Sequence, residues 1–254
     1  MVPVVLLLAL GGLVAREGIR SGAARRRAHE RAQVRDTTLT ESDVANGVTR
    51  RGIAPASEGQ LVTPAELRRR VGALAPGSYV NDILGEQDSA LYRWPERLGD
   101  AVRVFIEPAS SLPGFDPRYP ETARVVFAEW SEAGFPVRFV FVYDSTGADI
   151  RIRWRDRFPI GEGQRIGITE RVQTSRFLIA RAAISVALHD STGRVLTPAT
   201  VAGIVRHEVG HALGLNHAND STSVMYYESA TSTISASDRT TLRLLYLVPP
   251  GSLR

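Results

Sequence analysis

The eleven residues His207-Glu208-Val209-Gly210-His211-Ala212-Leu213-Gly214-Leu215-Asn216-His217 constrain this chain more than any other stretch. Residues four apart share one face of a helix. His207 and His211 can therefore hold one metal ion from successive turns. Glu208, one residue along, falls within reach of a water on that metal. Gly214 can end the helix, because glycine enters the left-handed region at little cost. The chain can then turn back and present His217. Three imidazoles leave a fourth tetrahedral position open, which marks a catalytic zinc site rather than a structural one.

HExxH alone also suits a surface helix with two solvated histidines; Gly214 and His217 argue against that. Met225, in Ser223-Val224-Met225-Tyr226-Tyr227, follows His217 by eight residues and is the only methionine besides Met1. In these residues the chain resembles the metzincin metalloproteases, most nearly the matrixins. The resemblance implies an α+β catalytic domain. Its parts are a twisted, mostly parallel β-sheet, an active-site helix, a methionine turn and a C-terminal helix. Met225 would form the apolar floor under the ligands, with ordinary core packing as the plainer role.

The expected chemistry follows from the ligand set. Zinc on three neutral imidazoles keeps a net positive charge and lowers the pKa of its water to about 7. Glu208 would take that water's proton as general base and deliver it to the leaving amine. The resemblance makes the substrate a protein or peptide and the chain a zinc-dependent endopeptidase. The alternatives are a zinc hydrolase of a non-protein amide, such as cell-wall peptide, and a non-catalytic zinc module that binds peptides. Tyr227 lies two residues past Met225, where astacins and serralysins carry a tyrosine that can approach the zinc. It is expected as a fifth ligand, an oxyanion donor or a pocket-wall aromatic.

The chain departs from the matrixin pattern in several places. Only His29 and His189 lie outside the catalytic three, so the family's second zinc cannot be assembled in its usual form. His189-Asp190 is either half of a calcium or zinc site or a loop cap. Asp144, Asp149, Asp156 and Asp190 are calcium candidates or turn formers. Ala218 stands where matrixins usually have serine, and Tyr227 where they usually have proline. With no cysteine in 254 residues, disulfides, thiolate ligands and cysteine-switch latency are excluded.

The net charge of +4 is uneven. Residues 1–71 hold 12 arginines against 7 acids, and residues 72–254 hold 19 against 20. A nucleic-acid surface would need the excess on a folded face with aromatics interleaved, so no nucleic-acid partner is expected. Residues 2–15 are nearly all apolar and fall short of the about 20 that span a bilayer. They read as a signal peptide or short membrane anchor, with the protein exported or anchored facing outside. The arginines that follow them favour the opposite orientation by the positive-inside rule, so a cytoplasmic-facing anchor is the alternative.

Three regions are expected: residues 1–15 as leader or anchor, 16–88 as a basic and polar extension or linker, and 89–254 as the catalytic domain. Thr63-Pro64-Ala65-Glu66 is a capping box that starts a short helix in the extension. In the domain, apolar spacing predicts strands at 101–107, 137–143, 148–154, 166–172 and 177–188, and a helix at 120–133. Thr197-Pro198 opens the histidine helix. Ser235-Ala236-Ser237-Asp238 caps a final helix carrying Leu242, Leu245 and Tyr246. The likeness to matrixins covers roughly residues 90–248.

Overall fold

A computed structural model of the chain describes residues 63, 66, 70, 76–85, 90–95, 100–159, 165–227 and 233–252. Eleven elements lie among them. The helices are α1 (Val80–Gly85), α2 (Tyr119–Ser131), α3 (Pro198–Ala212) and α4 (Ala236–Leu247). The strands are β1 (Ala90–Leu91), β2 (Val102–Ile106), β3 (Phe139–Val142), β4 (Ile150–Arg155), β5 (Gly167–Gln173), β6 (Ile179–Ala187) and β7 (Gly251–Ser252). The five strands and the helix expected from apolar spacing are all present.

The main sheet has the order β3-β2-β4-β6-β5. Its first four strands run parallel, and β5 runs antiparallel to β6 at the edge. Successive side chains of a strand face opposite ways. Val102, Val104 and Ile106 of β2 and Ile150, Ile152 and Trp154 of β4 are accordingly buried. Helix α2 buries Ala123, Val126, Phe127 and Trp130, one stripe at helical spacing. Trp130 Nε1 donates to the Arg206 carbonyl at 3.1 Å, and Arg206 grips Glu129 with two bonds of 2.6 and 2.8 Å. These contacts join α2 to α3.

Helix α3 starts where its caps dictate. Thr197 Oγ1 accepts from Thr200 N at 3.2 Å, and Pro198 occupies the first turn, where a missing N–H costs nothing. It stops at Gly214, whose φ of +108° suits glycine alone among common residues. A Cβ there would also collide with the Tyr92 carbonyl oxygen. The helix-end carbonyls find donors: Trp94 Nε1 reaches Ala212 O at 2.9 Å and Tyr246 Oη reaches Leu213 O at 2.9 Å. Helix α4 opens on the expected Ser235 capping box, with Asp238 as its acidic member.

Helix α1 and the β1–β7 pair are too short to announce themselves by periodicity. Tyr79, Val80, Ile83 and Leu84 are nonetheless buried. Tyr79 N donates to Thr241 Oγ1 at 3.0 Å and its hydroxyl to Asp238 at 3.1 Å. Asp82 accepts from Asn219 N at 3.1 Å. This packing begins upstream of the boundary expected near residue 89. At the expected Thr63 cap, Glu66 N donates to Thr63 Oγ1 at 3.1 Å; apart from Glu66 and Arg70, the helix expected to follow lies outside the described residues. Residues 2–15 lie outside the described residues, among which no helix is long and apolar enough to cross a membrane.

Candidate metal centre

His207 and His211 project from one face of α3, and the turn after Gly214 brings His217 beside them. The ring centroids stand 4.7, 5.4 and 4.8 Å apart, and one ligand atom from each ring lies within 4.8 Å of the others. Among the described residues this is the one cluster of three or more potential metal ligands. His207 is buried, His211 half-buried and His217 exposed.

The hydrogen bonds settle which ring nitrogens are free to bind. His207 Nδ1 lies 2.7 Å from the Val224 carbonyl oxygen, and His211 Nδ1 lies 2.9 Å from that of Leu215. A carbonyl oxygen only accepts, so each Nδ1 carries the proton and each Nε2 a bare lone pair. The two Nε2 atoms face each other at 3.0 Å. Two lone pairs at that distance repel unless a cation lies beside both. Burial lowers the His207 pKa, and burial with the neighbouring imidazoles holds His211 well below its ordinary value. Neutral imidazoles are the form that ligates a metal. The three residues therefore fit a zinc ion, with His207, His211 and His217 to hold it.

Glu208 is buried on the flank of α3 that meets β5, and Thr169 Oγ1 lies 2.7 Å from its Oε2. Burial pushes its carboxyl up to about 7, against the opposing pull of the Thr169 bond.

Met225 is fully buried beneath the helix. A Cβ at position 210 would collide with its sulfur, so Gly210 is what lets the turn approach. Ser223 Oγ accepts from Met225 N at 2.9 Å and donates to Asp238 Oδ1. Asp238 Oδ2 accepts from Val224 N at 3.1 Å. Asp238 is thus both helix cap and anchor of the turn. Its place in the capping box was visible in the sequence; its reach to the turn was not. Nothing in the sequence signals Thr169, Gly167 or Tyr79 as neighbours of the site.

Tyr227 is 62% exposed, with its ring centroid 4.7 Å from that of Tyr226. His189 and Asp190 turn to different partners. His189 Nδ1 lies 2.9 Å from Asp156, while Asp190 accepts from Thr192 and Arg194 of its own loop. Asp144 caps the turn at Thr146, and Asp149 accepts from Arg103 N. These aspartates do turn and strand work, and among the described residues none joins a three-ligand cluster.

Comparison with known proteins gives three findings. A family model described as Matrixin (peptidase M10) matches residues 116–247, more than half of the chain. No curated protein matches. Among solved structures, the GM1-bound form of the ECX AB5 holotoxin contains a chain 14% identical to this one. The match covers 65% of this chain and 86% of that chain, with a TM-score of 0.46.

Proposed function

The chain belongs to the matrixin family, and from that premise we propose that it is a zinc-dependent endopeptidase. His207, His211 and His217 are its proposed ligands and Glu208 its general base. The observation that carries the reading is the pair of Nε2 lone pairs held face to face by backbone carbonyls behind them. The chemistry zinc supplies when bound is Lewis acidity, which polarises a carbonyl and brings the pKa of water down to about 7.

The chain's own residues do the rest. Glu208 takes the proton of the attacking water at its carboxylate and passes it to the amine as the C–N bond breaks. Its burial keeps bulk water from competing for that proton. Strand β5 pairs with β6 on one side and forms the edge of the sheet on the other, while one of its faces meets α3. An extended peptide adding to that edge gains main-chain hydrogen bonds, which favours a peptide substrate. Tyr227, exposed just after the methionine turn, is the proposed oxyanion donor.

The test is cleavage of a mixed peptide library by the purified full chain, with and without a chelator. Chelator-sensitive internal cleavage is expected. Hydrolysis confined to cell-wall peptides would move the chain to the amide-hydrolase alternative.

A further inference from the structure

We propose that Thr169 is a positioning residue for Glu208, with Gly167 leaving the space that arrangement needs. The inference deepens the peptidase reading and rests on it for its catalytic arm. Alternate residues of a strand share a face, and Gly167, Thr169 and Arg171 of β5 all meet α3. Thr169 Oγ1 lies 2.7 Å from Glu208 Oε2 and 2.9 Å from the Glu208 backbone oxygen. Arg171 donates to the His211 carbonyl at 3.3 Å and to Asn216 Oδ1 at 3.0 Å. One face of the strand thus follows the helix from the general base to the approach of the third histidine.

Gly167 completes the notch. A Cβ there would collide with Glu208 Oε1, and would stand 2.7 Å from Ile204 Cγ2 and 2.9 Å from Glu208 Cγ. No side chain other than hydrogen lets the carboxylate lie against this strand. A hydroxyl has one proton to give, and a carboxylate oxygen is its stronger acceptor. The shorter contact, to Oε2, is therefore the bond that orients the carboxylate. Threonine suits this better than serine, because β-branching stiffens χ1 and holds the hydroxyl in place. The strand that lines the substrate edge also aims the base.

Thr169→Val removes the donor while nearly keeping the shape. In the zinc-loaded full chain it is expected to leave zinc content unchanged, KM within about twofold, and kcat down about tenfold, the scale of one bond to a charged group. Thr169→Ser, which keeps the donor, is expected to recover kcat to within about threefold of wild type. A Val variant within twofold of wild type in kcat, or a Ser variant as impaired as Val, overturns the proposal. A second readout needs no catalysis. In metal-free protein, Thr169→Val is expected to lower the melting temperature more in wild type than in a Glu208→Ala background, because only the first loses the bond to the carboxylate, the contact of Thr169 Oγ1 with the backbone oxygen of residue 208 being common to both. Equal shifts in the two backgrounds overturn it. Should the wild-type chain cleave no peptide, the peptidase reading fails and the melting comparison alone decides whether Thr169 holds Glu208.

Discussion

His207 donates through Nδ1 to the carbonyl oxygen of Val224 at 2.7 Å, so the residue before Met225 orients the first histidine of α3. The same Val224 offers its N–H to Asp238 at 3.1 Å. One peptide segment therefore carries the constraint from α4 to the histidine. Outer partners of this kind set the tautomer and ring direction of a ligand.

The ligands and the base should separate cleanly by substitution. His207→Ala removes one of three ligands and is expected to abolish tight zinc binding. Glu208→Gln keeps all three and is expected to retain zinc while hydrolysis falls by about a hundredfold or more. Metal analysis after dialysis and initial rates on one peptide check both. Near wild-type turnover in Glu208→Gln would assign the base to another group.

Asp238→Asn probes the anchor behind the methionine turn. The carboxylate is fully buried and accepts from Tyr79 and Ser223 at Oδ1, and from Val224 N, Ser235 N and Ser235 Oγ at Oδ2. An amide would turn an NH2 toward groups that are themselves donors. A loss of about 3 kcal/mol is expected from the bonds left unmade. Zinc affinity should fall about tenfold or more, because His207 loses its fixed carbonyl. Denaturant curves and competition with a chromophoric chelator measure the two. Unchanged zinc affinity in a destabilised variant would confine Asp238 to structure.

Two truncations test where the packed domain begins. A chain starting at Pro76 keeps Tyr79, Val80, Ile83 and Leu84, all nearly inaccessible. One starting at Ser89 loses them, along with the Tyr79–Asp238 bond and the Asp82–Asn219 bond. Each buried apolar side chain is worth about 1.5–3 kcal/mol. The Ser89 chain should therefore melt about 10 °C or more below the Pro76 chain. Equal melting temperatures would return the boundary to residue 89.

Tyr227→Phe removes the phenol while keeping the ring's packing on Tyr226. Loss of an oxyanion donor costs about a hundredfold in kcat, and that fall is expected with little change in KM. Steady-state kinetics on the preferred peptide check it. A turnover number within a few-fold of wild type would make Tyr227 a wall residue.

The candidate metal site was legible because its parts are local. Two of the proposed ligands and the proposed base lie within five residues on one helix, where a spacing of four fixes the shared face. Gly214 ends that helix for a reason of backbone geometry that its own identity announces. The caps at Thr197 and Ser235 are equally local, and the strands show themselves through burial of alternate or continuous apolar residues. Tertiary structure alone decided what surrounds this nucleus. Thr169 meets Glu208 across 39 positions, Val224 meets His207 across 17, and Tyr79 meets Asp238 across 159. No periodicity encodes such pairs. They arise because sheet order places β5 against α3 and because Gly210 and Gly167 leave room for close approach. A ligand set on one helix is written in sequence by the helical repeat; the groups that orient it come from separate elements and meet only when the core packs.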